Sequence, residues 1–426
     1  MMTKKKQFAW VLVMALITAC SSTPKQAATE AETPQCPYTI DLSEVEFSHE
    51  PQCLSEFADS IEYIMLSDDV LLPDMFHLRW LLDKDDNIYI EHGNIEKFTT
   101  EGKHVKSLLK IGQGPGEITN KLSVTEAAFN LDDNYVYVPD HGKYNYSKFS
   151  LDGEYLGSFD KMDSLYHFRE YMAILNNREI FHYESLTEYF YYRDKISTDG
   201  RANPDGPYLF YAENIQTDSI EYKKPNGLFH IKPHTPKRGS AINDGWPMNY
   251  GYADNDFWLR HYHQDTIYRT KDAVTFEPWY VIKRHPQMAD YEFMVRMIVL
   301  DLTMTDVNSK HYLGNIMATD AGVFYRYSVG SDWENKSGFG FCPKNGKAKS
   351  YSNKGFKNDL DEYLPPLELS HSILNGKKGF QKNGYLYVLV DAFKFFEEGA
   401  KPPFPELVED SNPVLVKLRL KKMLAR

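Results

Sequence analysis

One short pattern returns along this chain: a polar turn, then a run of aromatic or β-branched residues. It occurs at Asp85-Asp86-Asn87 before Ile88-Tyr89-Ile90, at Asp132-Asp133-Asn134 before Tyr135 to Val138, and at Asn176-Asn177-Arg178 before Ile180-Phe181-His182. It returns at Asp254-Asn255-Asp256 before Phe257-Trp258-Leu259, at Asp320-Ala321-Gly322 before Val323-Phe324-Tyr325, and at Asn383-Gly384 before Tyr385 to Val388. Asn, Asp and Gly tolerate the turn backbone, while Tyr, Phe, Val and Ile suit a pleated, half-buried surface. After several copies a second strand–turn–strand follows, with its turn ending at Gly102, Gly153, Gly200 or Gly346. Units of four short strands, none able to bury both faces alone, predict an all-β fold, a six-bladed β-propeller. Six copies over about 360 residues give roughly 60 per blade, above the ~40–45 of compact repeats, so long inter-strand loops are expected. One inserted helix is expected from Pro286, with Phe293, Met297, Leu300 and Met304 as its apolar stripe against the propeller body.

The start of the chain follows a different rule. Lys4, Lys5 and Lys6 precede an apolar run from Phe8 to Ile17, and small residues close it at Thr18-Ala19-Cys20. This order predicts a secretory signal peptide over residues 1–19. Its apolar run is about half of what crosses a ~30 Å hydrocarbon core. Leu16-Ile17-Thr18-Ala19-Cys20 resembles a bacterial lipobox, which makes Cys20 the lipidated first residue of an exported, envelope-anchored chain. Residues 20–56 then read as a tether and lead-in, 57–420 as the propeller and 421–426 as a tail. The first sixteen or so tether residues would reach on the order of 20–25 Å as a flexible coil. Phe293 to Leu302, the best later apolar stretch, is broken by Arg296 and Asp301.

Charge narrows the partners. Removing residues 1–19 takes away three lysines and no acid, so the net charge of −12 becomes −15. A body this acidic repels phosphate backbones, which argues against nucleic acid, and leaves the lipid as the means of holding a membrane. Tyr (30) outnumbers Phe (25), which favours strands over a helical bundle. Besides Cys20 there are Cys36, Cys53 and Cys342. In an oxidising compartment a Cys36–Cys53 bridge would contribute ~3 kcal/mol; three buried free thiols are the equal alternative.

Ile61-Glu-Tyr-Ile-Met-Leu66, Lys110-Ile-Gly-Gln-Gly-Pro-Gly-Glu117, Asp265-Thr-Ile-Tyr268, Asn358-Asp-Leu-Asp361 and Asn412-Pro-Val-Leu-Val-Lys-Leu418 occur in that order. With the lipobox, they resemble the six-bladed β-propeller lipoproteins of Bacteroides-type bacteria, relatives of NHL-repeat propellers. The resemblance covers about residues 55–420 and implies a fold and an envelope location, the outer membrane included. It implies no catalytic set.

Individual motifs add little chemistry. Gly112-Gln-Gly114-Pro-Gly116 lacks the spacing of a dinucleotide fingerprint and the Gly-Lys-Ser/Thr of a P-loop, and Glu117 would repel an anion. Asp83-Lys-Asp85-Asp-Asn87 starts like a calcium loop but has Ile88 where glycine is needed and Asn94 where glutamate is needed. His261 and His263 share one side of a strand and could meet a metal at the ring axis, as in NHL-type propeller lyases, if a third ligand came from elsewhere. That metal-dependent lyase or hydrolase is the alternative function. The favoured one is a binding module without cofactor, taking a glycan, peptide or envelope protein on Trp246, Tyr250, Tyr252 and Trp333.

Overall fold

The computed structural model describes residues 36–73, 78–122, 127–131, 133–140, 142–143, 145–159, 169–183, 208–217, 219–225, 248–254, 256–261, 264–290, 292–293, 304–330, 336–363, 380–397 and 400–422. Every turn of the repeated pattern is the bend of a β-hairpin. The hairpins pair Arg79–Leu82 with Ile88–Glu91, Ala128–Asn130 with Tyr135–Asp140, and Arg169–Leu175 with Arg178–Tyr183. They continue with Met248–Ala253 and Asp256–His261, His311–Thr319 and Gly322–Val329, and Phe380–Lys382 and Tyr385–Val390. Asp86, Asn134, Asn176, Asn177, Asp254 and Asn383 have φ between 49° and 64°. Such tight turns need this left-handed backbone, and Asn and Asp adopt it at least cost among side-chain-bearing residues.

The hairpins extend outward by further antiparallel strands, and their faces share apolar clusters in a closed circle. Leu81 and Tyr89 of the first unit pack with Phe129 and Val136 of the second. Tyr135 and Tyr137 of the second pack with Ile174 and Tyr211 of the third, and Leu175 and Phe210 of the third with Tyr250 and Phe257 of the fourth. Trp258 of the fourth, Phe324 of the fifth and Val388 of the sixth share the largest cluster. Trp80 and Ile90 of the first then meet Phe380 and Tyr387 of the sixth. Sheets and clusters alternate around a ring: the fold is an all-β propeller.

A separate sheet for each hairpin is not what the hydrogen bonds draw. Among the described residues three four-stranded sheets, one three-stranded and one two-stranded sheet stand apart, while a ten-stranded sheet runs through both the fourth and the sixth hairpins. The link is parallel pairing of Tyr252 with Phe380 and of Ala253 with Gln381. First strands converge at the axis, where free backbone edges come close enough to pair.

A closing strand and a strap hold the ring. Val414–Leu420 pairs antiparallel with Ala58–Met65, so a strand from early in the chain completes the last sheet. Ahead of it, Tyr38–Asp41 adds in parallel to Glu277–Lys283, Glu46–Phe47 to Ser350–Tyr351, and Cys53 bridges Lys357. Ile40, Leu42, Val45, Leu54 and Phe57 of this strap are buried in the large cluster. The strap covers edges that would otherwise offer unpaired backbone groups.

The Cys36–Cys53 bridge does not form: Cys36, Cys53 and Cys342 are free thiols. The strap carries the first two apart, Cys36 beside Arg269 (3.9 Å) and Cys53 to an isolated bridge with Lys357. Of the expected helix, Glu292–Phe293 and Met304–Asn308 are helical, and Met297 and Leu300 lie outside the described residues. Phe293 and Val307 pack on Ala289 and Tyr312, as a helix laid against the body would.

Gly102 (φ 84°) bends the turn that meets the closing strand, and a Cβ there would run into the carbonyl oxygen of Met65. Gly102→Ala is expected to lower stability by about 2–4 kcal/mol through backbone strain and this clash, read by equilibrium urea unfolding. A loss below about 1 kcal/mol would show that closure tolerates a gap there.

His285 and His311 stack at 4.0 Å with their planes 7° apart, and His311 Nδ1 shares a 2.9 Å hydrogen bond with the Tyr327 hydroxyl. Burial first, and then the neighbouring His285, lowers His311 from the ordinary 6.5 to about 4. Between those values the unfolded chain binds the proton and the folded one does not, so stability falls as pH drops through that window. His311→Gln should flatten that fall in a pH series of thermal melts; an unchanged slope would refute the assignment.

Candidate functional site

At the turn end of the ring, five of the six hairpin units enclose a small axial well. Leu82, Leu131, Leu175, Tyr252 and Phe380 form its apolar wall, and Asp83, Asp254 and Lys382 its polar rim. Its volume is about 40 Å³. One water needs ~10–15 Å³ on this measure, so the well suits a few waters or a small ion. A sugar ring does not fit.

The rim is held by the chain's own bonds. Lys382, 8% exposed, donates to the carbonyl oxygen of Asp83 and forms an ion pair with Asp86. Asp83 Oδ1 accepts the N–H groups of Asp85 and Asn87, both at 2.9 Å. Its Oδ2 accepts Asn87 Nδ2 at 2.9 Å and the Tyr89 hydroxyl at 3.1 Å. Four donors occupy this carboxylate, so Asp83-Lys-Asp-Asp-Asn87 is a hairpin turn and not a calcium loop. On the other side Gln381 Nε2 donates to Asp254 Oδ2 at 3.3 Å and to Asp320 Oδ2 at 2.8 Å. Burial, and secondarily the hydrogen bond and charge of Asp320, raises the pKa of Asp254.

The glycine-rich run is likewise self-contained. Glu117 Oε2 accepts the N–H of Gly114 at 2.8 Å, and Lys143 Nζ donates to the carbonyl of Glu117 at 2.5 Å. A Cβ at Gly112 would strike that same carboxylate. The loop turns around its own anion, which leaves no cradle for a phosphate.

Of the residues picked from the sequence, Tyr250 and Tyr252 lie on the regular strand Met248–Ala253 rather than on an irregular loop. Gly251 sits opposite Trp258 there, and the alternation sends Tyr250 into the cluster between third and fourth units. Only Tyr252 reaches the well. His261 is buried at the far end of Asp256–His261, away from the turn end. Among the described residues, no group of three or more His, Cys, Asp or Glu could hold a metal. Cys20, Trp246, His263 and Trp333 lie outside the described residues. Gln381 and Lys382 escaped sequence reasoning; two long polar side chains ahead of Asn383-Gly384, where the pattern calls for an apolar strand, were the available signal.

A family described as "Domain of unknown function (DUF4934)" matches residues 37–419. No curated protein matches. Among solved structures, a Bacteroides fragilis chain provisionally described as exported is 14% identical, covering 90% of this chain and 100% of its own, with a TM-score of 0.60. A DUF4221 family member from Bacteroides vulgatus is 12% identical, with 85% and 97% covered and a TM-score of 0.44. A streptogramin B lyase is 11% identical, with the same coverages and a TM-score of 0.35. At these identities the first likeness speaks for the fold, and the other two carry no argument about chemistry.

Lys382→Met leaves the Asp83 carbonyl and Asp86 without their buried donor. It should cost about 1–3 kcal/mol in urea unfolding, and less on an Asp86→Asn background, where the ion pair is already gone. Equal costs on both backgrounds would refute the pairing.

Proposed function

The chain belongs to the DUF4934 family, and from that membership and its geometry we propose an exported, lipid-anchored, six-bladed propeller that binds a protein partner at the cell envelope. Six hairpin units support the blade count, with the ten-stranded sheet taken as two blades joined at the Tyr252–Phe380 bridge. Export is supported by the signal-like start and by the provisional description of the Bacteroides fragilis relative. None of the helices among the described residues is long and apolar enough to cross a membrane. Anchoring rests on Cys20 in its lipobox, with two or three acyl chains holding where one would not.

The contrast between the two ends of the ring carries the binding reading. One end has tight turns and a well of about 40 Å³. The connections 184–207 and 226–247 leave from the other, because Arg178–Tyr183 and Ile220–Pro225, the strands before them, run away from the pattern turns. Long loops on a rigid scaffold are where recognition concentrates. Trp246 falls in one of these connections and Trp333 in the 330–336 connection at the same end. Tryptophan is enriched among residues that anchor partners. A glycan held in the axial well is disfavoured by size, and nucleic acid by charge.

The test starts from whole cells. Cys20→Ser should move the protein out of the membrane fraction, and Trp246→Ala with Trp333→Ala should abolish its cross-linked complex while Lys84→Ala, at the well, leaves it intact. A complex that survives the tryptophan changes and is lost at the well would reverse the reading.

A further inference from the structure

We propose that Asp254, Gln381 and Asp320 form a proton-operated clasp that fastens three hairpin units at the axis and grips hardest when the two carboxylates share one proton. The three residues come from the fourth, sixth and fifth hairpin units. Gln381 is 1% exposed. It donates to both carboxylates through Nε2, at 3.3 and 2.8 Å, and accepts the N–H of Asp320 on Oε1 at 2.7 Å. Asp254 is gripped from behind as well: Asn383 N–H donates to its Oδ1 at 2.5 Å, and its own N–H donates to the Gln381 carbonyl at 2.8 Å. One amide thus serves two acids that stand side by side.

When both acids are ionised each can only accept, so nothing bonds one to the other and their charges repel. A single proton turns that contact into a charge-assisted O–H···O⁻ bond, among the stronger hydrogen bonds in proteins. The raised Asp254 pKa, caused first by burial and then by the neighbouring Asp320, runs in the direction this geometry requires.

The other ionisable groups nearby are committed elsewhere. Lys382 serves Asp83 and Asp86. Lys84 and Asp83 line the well on the side of the first unit. Tyr280, buried and donating to the Thr319 carbonyl at 2.7 Å, is held neutral. Asp256, beyond the turn, is paired with Arg269 and Lys271. The clasp therefore depends on its own proton.

A folded pKa above the unfolded one gives stability that is present at low pH and lost as pH rises through the folded value. This slope is opposite to that of His311, so the test compares variants rather than reading one curve. Asp254→Asn and Asp320→Asn each mimic the protonated partner. At about pH 8 each should melt roughly 1–3 °C above the unchanged protein, with the gap closing toward about pH 4.5. A gap of the same size at every pH, or a lower melting temperature at about pH 8, would overturn the clasp. Hydrogen exchange on the unchanged protein needs no variant. The Asp320 and Asn383 amides should gain protection relative to Val388 as pH falls, and an unchanged ratio would overturn it equally.

Discussion

Everything in this molecule depends on one pairing, that of Val414–Leu420 with Ala58–Met65. Each sheet is apolar on both faces, and each face is satisfied only by the next sheet. Trp80 looks toward Phe380 and Tyr387 on one side of the first unit, while Leu81 looks toward Phe129 on the other. Such a chain of sheets has no end that could face water cheaply, so it must close. Bringing together segments some 350 residues apart costs about 5 kcal/mol of loop entropy. Val414, Leu415, Val416 and Leu418 are fully buried at the seam. At ~1.5–3 kcal/mol each they outweigh that cost. The closing strand therefore does more than finish a sheet, since its burial turns an open row of hairpins into a ring.

What could be read in the sequence and what could not divides along sequence separation. All six hairpin turns were legible, because a left-handed bend is a local demand that Asn134, Asn176 or Asn383 answers by its own chemistry. The glycine-rich run was legible as a turn for the same reason, with Glu117 three residues from the N–H it accepts. The strap was not. Nothing in Tyr38-Thr-Ile-Asp41 names Glu277–Lys283 as its partner, since parallel pairing at such a distance leaves no local signature. Cys36 and Cys53 are close in sequence, and nothing local to either names Arg269 or Lys357 as its neighbour. The stretch Gly245 to Tyr252 reads as too rich in glycine and proline for a regular strand, yet Gly251 lies within one. In the ring it is a small residue facing Trp258, a place where glycine makes room for a close neighbour.

Polar groups at the turn end are spent on construction. Asp83 takes four donors, and Lys382 and Gln381 each bind groups from other sheets. The Lys382 and Gln381 bonds cross between units that apolar packing alone would leave free to slide, because dispersion and burial have no direction whereas hydrogen bonds do. Directional bonds fix the register of one sheet against the next.

A propeller that ties its axis this tightly leaves little there for a ligand to displace. Entry of a large molecule would cost the buried Lys382 and Gln381 bonds, and an orphaned buried polar group is expensive. At the opposite end connection lengths vary, from the tight turn His92–Asn94 to the 23 residues between Val390 and Val414. Longer connections add closure entropy only slowly. The bonds that tie the axis and the connections that differ in length at the other end thus follow from the same ring.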